Sequence, residues 1–463
     1  MRLAIAVVLA CSTGVGADLD WSAVNQETLK HFQALVRMNT SDPPGNEAPA
    51  VAYLKAVLEG AGIPVQVFAT NPKRPNLVAR LKGSAVKRPI LIMGHTDTVP
   101  ANPASWKEHG PFSADRAGGY IFGRGAVDDK DNVVASLMTL LLLKRQNVPL
   151  DRDVIFLAEA GEEGNTQVGI AFMVAKQWPF IQAEFCLAEG GGVDRRKGRI
   201  GAMTVMTTEK VPARASLVVR GTAGHGSVPL PDNAIARLAR ALAQLSEWQP
   251  PMQMNDTTRA YFQGLAAAAP AEQAARYKAL LDPARSPEAE AYLRLNEPTH
   301  NSMLRTSISP TVIAAGDRSN VIPSEARATL DIRAVPGEDL EAFFAEMKRR
   351  IGDDKVEIVR ASMGRPPAPP SRLATEMFRA LETLGKRLYP GSVVLPGMLT
   401  GATDMAYLRE KGVECYGIGP MQDSEDAEAG YGAHSDQERI LEEELYRFVR
   451  FQYEAVREVA QKQ

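Results

Sequence analysis

The sequence predicts an α/β fold with a mostly parallel central sheet flanked by helices, interrupted by an inserted α+β domain. Two observations predict it. Four continuous apolar runs, Asn76–Leu81, Ile90–Met93, Val154–Ala158 and Glu184–Leu187, alternate with helical patterns in the first part of the chain. Such runs suit strands buried on both faces beneath helices. Past about Thr208 the pattern turns to half-exposed strands in a β-α-β-β-α-β order, which suits a small ferredoxin-like sheet with its helices on one face.

In the first part, Pro49 to Glu59 predicts a helix, because Val51, Leu54, Val57 and Leu58 share a face. A second helix covers Asn132 to Lys144. Its run Leu137 to Leu143 ends at Lys144 and Arg145, which suits a buried helix and is too short to span a bilayer. In the insertion, Ala213–Arg220 alternates like a strand, a helix follows over Asn233–Ser246, and residues 249–295 form a polar, Ala-rich stretch with no assigned element. Strands at Ser307–Ala314, Glu325–Arg333 and Lys355–Arg360 and a helix over Glu338–Ile351 complete it. Arg365 to Pro370, rich in proline, reads as a linker. The expected organisation is a leader over 1–17, a main domain over 18–208 and 364–463, and an inserted second domain over 209–363.

The bulk numbers exclude little and fit a globular protein. Hydrophobic residues are 45% of the 463 and charged residues 23%. Lys plus Arg is 53 against 55 for Asp plus Glu, so a nucleic-acid surface is not expected. At the N-terminus, Arg2 precedes the apolar run Leu3–Ala10 and the small residues Val15-Gly16-Ala17, the pattern of a secretory signal cleaved after Ala17. Export to the periplasm or medium is therefore expected, with lipid anchoring at Cys11 as the lesser alternative and no membrane span in the mature chain. Cys186 and Cys415 lie in apolar strands and are expected as buried free thiols.

Five motifs carry candidate chemistry. Gly94-His95-Thr96-Asp97-Thr98-Val99-Pro100 follows a strand, so an imidazole and a carboxylate stand at a strand's C-terminal end, where α/β sheets place their sites. His95 and Asp97 face the same way on an extended chain, and a carboxylate beside a metal-bound histidine can fix its tautomer. Gly123-Arg124-Gly125-Ala126-Val127-Asp128-Asp129-Lys130 offers Asp128 just before a helix. Glu159-Ala160-Gly161-Glu162-Glu163-Gly164-Asn165 places adjacent carboxylates at another strand end, one free to bind a metal while its neighbour faces substrate. Ala188-Glu189-Gly190-Gly191 and Gly432-Ala433-His434-Ser435-Asp436-Gln437-Glu438 add an acid and a histidine. Each alone has a bland reading: a satisfied loop histidine, an N-cap, a solvated charge run. Together His95, Asp128, Glu163, Glu189 and His434 form a nitrogen and carboxylate donor set that suits zinc, with cobalt or manganese as substitutes.

These motifs, in this order, resemble the dinuclear zinc aminoacylase and carboxypeptidase family, which includes carnosinases, succinyl-diaminopimelate desuccinylases and bacterial glutamate carboxypeptidases. The resemblance implies two zinc ions, one held by His95 and Glu189, the other by Glu163 and His434, with Asp128 bridging. It implies Asp97 as the residue orienting His95, Glu162 as general base, and a cis peptide between Asp128 and Asp129. The family usually has Gly where this chain has Asp131, which is expected to cap the following helix. Gly224-His225-Gly226 resembles the lid motif whose histidine stabilises an oxyanion, often in a partner subunit, so a homodimer through the lid is implied. Arg333 resembles the lid arginine that takes a free carboxylate, since a guanidinium fork matches it. Asn320 resembles the asparagine beside it. Gly401 opens a pocket loop, Gly401-Ala402-Thr403-Asp404, in which Asp404 is read equally as a substrate contact or a helix cap. Asn296-Glu297-Pro298-Thr299-His300-Asn301 is most similar to the carboxypeptidase S and secreted N-acyl-amino-acid hydrolase branch. The function implied is hydrolysis of an amide beside a free carboxylate, on a small peptide or an N-acyl amino acid. A deacetylase or desuccinylase of amino-acid metabolism, and a metal-dependent peptide receptor without catalysis, are the alternatives.

Overall fold

The computed structural model describes residues 19–462; the expected leader and Cys11 lie outside the described residues. Ala50, Val51, Leu54 and Leu58 give the helix Ala48–Gly60 one buried stripe. The helix Lys130–Arg145 is different, because every residue from Lys130 to Leu143 is buried. It lies between the strand Ile90–His95 and the C-terminal helix Glu442–Ala460, so it has apolar neighbours all round.

Alternation along the strands builds two cores. Ile90 and Ile92 join Val154 and Phe156 under the helix Lys130–Arg145, while Leu91, Met93, Ile155 and Leu157 face Ile170 and Met173 on the other side. Val154–Glu159, Ile90–His95, Phe185–Ala188 and Glu414–Gly417 are consecutive parallel neighbours at the centre of a ten-stranded sheet. Antiparallel pairs flank them, with Val65–Phe68 and Asn76–Leu81 on one side and Gly192–Arg196 against Arg199–Glu209 on the other. Cys186 and Cys415 are register partners in this sheet, buried and free.

From Glu209 the chain passes to a smaller antiparallel sheet. Its four long strands lie in the order Val356–Arg360, Ala215–Arg220, Glu325–Ala334, Ser307–Ala315. That is a ferredoxin-like order. The helices Ala234–Glu247 and Leu340–Ile351 cover it through Leu238, Leu245, Phe343 and Met347 against Leu217, Val219 and Leu330.

The stretch 249–295, to which the sequence assigned no element, is largely helical: Asp256–Ala268, Ala271–Leu280 and Ser286–Asn296, with Pro298–Met303 just beyond it. Its small core, Phe262, Ala266, Tyr277, Leu280, Ala289 and Leu293, takes only two residues from each helix, so the apolar period is faint. The start signals are present nonetheless, with Asn255 and Thr258 forming a capping box. These helices also touch the larger sheet. Thr257 Oγ1 lies 2.8 Å from Thr207 Oγ1, and a Cβ at Gly264 would stand 2.3 Å from Leu395 Cδ2.

Candidate metal centre

Three neighbouring parallel strands end at one edge of the larger sheet and deliver His95, the loop Gly161–Gly164 and Glu189 there. His95 is buried, and its Nδ1 lies 3.0 Å from the main-chain oxygen of Asp97. A carbonyl only accepts, so Nδ1 carries the proton and the Nε2 lone pair is turned inward. It faces Asp128 Oδ1 at 3.0 Å. The Asp97 carboxylate lies farther off, 3.6 Å from Nδ1. It accepts instead the main-chain N–H groups of Gly161 (2.8 Å), Glu162 (3.3 Å) and Glu163 (3.1 Å). Asp97 thus holds His95 through its backbone and the glutamate loop through its side chain.

Asp128 uses both oxygens. Oδ1 faces His95, and Oδ2 lies 2.9 Å from Nε2 of His434, which is also 3.0 Å from Glu163 Oε1. The peptide between Asp128 and Asp129 is cis. His434 has φ of 63°, a left-handed conformation that a non-glycine residue holds only where its surroundings determine it. Those surroundings are visible: Arg124 Nη2 donates to the His434 carbonyl at 3.3 Å, and Arg124 Nη1 donates to Glu438 at 2.6 Å. Glu438 also accepts the Val127 N–H at 2.9 Å. This buried pair stitches the Asp128 loop to the His434 loop. Both residues stand in quoted motifs, but their pairing across 314 positions was not legible there.

Asp131 does not cap the following helix. The cap position belongs to Asp129, whose carboxylate accepts from the His95 main chain at 3.0 Å and from Asn132 at 2.6 Å. Asp131 lies in the first turn, buried, with no hydrogen-bond partner on either carboxylate oxygen, and burial pushes its pKa up to about 8.

Single ligand atoms of His95, Glu162 and Glu189 lie within 4.8 Å of one another, and so do those of His95, Asp128 and Glu163. Asp97, Asp129, Glu159 and Asp404 add four fully buried carboxylates around them. Burial pushes Glu189 well above the usual carboxylate range and Glu162 up to about 8, the latter opposed by the Arg365 guanidinium. Burial acts the same way on Asp128, but the neighbouring His434 and His95 imidazoles hold it below the usual range. The donor chemistry fits divalent cations. An imidazole lone pair and a carboxylate face each other as two acceptors, inside a pocket with far more buried acid than base.

The residues expected to meet substrate are placed differently. His225 is exposed on the short strand Gly224–His225, with Nδ1 2.7 Å from Ser227 Oγ. Asn320 lies at the same corner, where its carbonyl accepts from Gly226 at 2.7 Å. Arg333 is engaged by Asp331, its Nε 3.1 Å from Oδ1. No hydrogen bond or ion pair among the described residues joins these three to the acidic cluster. The Gly401 loop does approach it, pinned where Glu209 accepts from the Thr403 N–H at 2.9 Å. Asp404 makes no capping bond; its carboxylate is buried beside the cluster, 3.4 Å from Arg365. Arg365, taken from sequence as part of a linker, also donates to Glu162.

Comparison with known proteins agrees with this geometry. Residues 91–458 match Peptidase family M20/M25/M40. The chain is 31% identical over 333 residues to a Dictyostelium discoideum protein named "Probable carboxypeptidase S-like 2", covering 68% of this chain and 62% of that one. It is 30% identical over 378 residues to the Xenopus tropicalis N-fatty-acyl-amino acid synthase/hydrolase PM20D1, covering 78% of this chain and 71% of that one. In fold it is similar to the M20 family metallo-carboxypeptidase Sso-CP2 from Sulfolobus solfataricus, with a TM-score of 0.70 and 20% identity over 93% of this chain and 98% of that one. With His95, Asp128, Glu163, Glu189 and His434 gathered at the strand ends, the chain belongs to peptidase family M20/M25/M40.

Proposed function

We propose that the protein is a two-metal hydrolase that cleaves an amide bond beside a free carboxylate, on a small peptide or an N-acyl amino acid. The observation that carries this is Asp128, whose two oxygens reach two histidines from opposite ends of the chain, with Glu162 beside them. His95 and Glu189 would hold one ion, Glu163 and His434 the other, and Asp128 both. Zinc suits this set, with cobalt or manganese as substitutes. Bound there, two divalent cations would polarise the scissile carbonyl and lower the pKa of a water.

The chain's own groups do the rest. Glu162 takes a proton from that water and passes it to the leaving amine. Asp97 holds the Glu162 and Glu163 main chain in place. Arg333 and Asn320 take the substrate carboxylate, and His225 donates to the oxyanion. His225 is exposed in this chain, so it reaches the site by closure of residues 209–363 as a lid or from a second copy. The apolar leader supports export. The Glu162–Glu163 pair favours catalysis over peptide capture, since a receptor needs no general base. Glu162→Gln tests this: the enzyme reading expects hydrolysis by the wild type and its loss in the variant, whereas a receptor keeps its ligand affinity and hydrolyses nothing in either form.

A further inference from the structure

After its last strand, Val356–Arg360, the smaller sheet releases the chain into an extended segment that runs back toward the larger sheet. Arg365 lies on this return. Its Nη2 donates to the main-chain oxygen of Glu162 at 3.1 Å and to Glu162 Oε1, and stands 3.4 Å from Asp404 Oδ1. Among the described residues no other lysine or arginine pairs with Glu162. A second contact ties the same segment to the same loop: the Tyr407 hydroxyl donates to Gly364 O at 2.7 Å and lies 3.1 Å from Thr166 Oγ1, four residues past Glu162.

We propose that Arg365 is a positioning residue for Glu162, held in reach of it by Tyr407. A guanidinium is planar and permanently charged, and its donors point in fixed directions. By gripping both the carbonyl and one carboxylate oxygen of a single residue, it fixes the Glu162 side chain. Oε1 is engaged and Oε2 is left to face the attacking water. Arg333 makes no pair with Glu162 among the described residues, so the two arginines have separate tasks. The return segment of the insertion therefore carries a part that the catalytic carboxylate needs. This rests on Glu162 being the general base.

The test compares the metal-loaded full chain with Arg365→Gln, Arg365→Lys and Tyr407→Phe, reading kcat, KM, bound metal and the crystal position of Glu162. A base moved by about 1 Å costs about 10²-fold, so Arg365→Gln should lower kcat by about that factor with KM and metal content nearly unchanged. Arg365→Lys should recover part of the loss, and Tyr407→Phe should cost about 3–10-fold in kcat. In Arg365→Gln crystals the Glu162 carboxylate should leave its wild-type position. A raised KM at unchanged kcat would make Arg365 a substrate-binding group and overturn the proposal, as would loss of metal or an unmoved Glu162. Should Arg365→Gln not fold, Arg365→Lys and Tyr407→Phe decide by the same readouts. An inactive wild type would count against the hydrolase reading, and the crystal comparison would still decide this one.

Discussion

The Asp97 carboxylate accepts the main-chain N–H of Glu163 at 3.1 Å, so one buried anion positions a metal-ligand candidate and its base neighbour together. Removing it should harm both. Asp97→Ala is expected to lower metal affinity and kcat/KM by about 10–100-fold each, the usual cost of losing a group behind the ligands. Metal titration and kinetics on the same preparation check this. Unaltered metal affinity and kcat/KM together would show that the loop does not depend on Asp97.

Asp128 reaches both His95 and His434, so under the proposed bridging role its loss should differ in kind from the loss of a terminal donor. Asp128→Ala should purify with neither ion firmly bound, while Glu163→Ala should keep the ion between His95 and Glu189. Elemental analysis after desalting gives the count. Equal occupancy in both variants would contradict the bridging role.

Glu162→Gln keeps the shape of the site and removes the proposed proton acceptor. Both ions should stay, and kcat should fall by about 10²–10⁴-fold. Activity near that of the wild type would move the base elsewhere in the cluster.

Stability has its own test near the site. Arg74 is buried and pairs with Asp42 at 2.7 Å and Glu47 at 2.6 Å, both buried. Asp42 also donates its N–H to the Thr98 carbonyl at 2.9 Å, beside the His95 loop. Arg74→Ala leaves two uncompensated carboxylates and should cost about 3–5 kcal/mol in urea unfolding. A cost below about 1 kcal/mol would mean that water or a protonated carboxyl replaces the guanidinium.

The parts legible in the sequence were those written locally. Continuous apolar runs announced the central strands, and His95, Glu163 and Glu189 follow those strands within a few residues. The structure gathers these with Asp128 and His434. The cross-chain pairings were not legible. Arg365 sits in a proline-rich stretch whose composition reads as a linker, and only the fold brings it to Glu162. Asp97 was read through its side chain toward His95, but main-chain N–H groups of a loop 64 residues away compete for that carboxylate. The helices over 256–296 were missed because each gives only two residues to their small core, too few to mark a period. Among the described residues His225, Asn320 and Arg333 bond only within the smaller sheet and its loops, so their proposed roles rest on motif resemblance alone.

The most direct measurement offers the zinc-loaded protein matched N-acyl amino acids and dipeptides, each as the free acid and as its C-terminal amide. Cleavage of the free acids alone is predicted, with the amides spared. Equal cleavage of both forms would contradict recognition of the free carboxylate, and no cleavage of either with both ions bound would contradict the hydrolase itself.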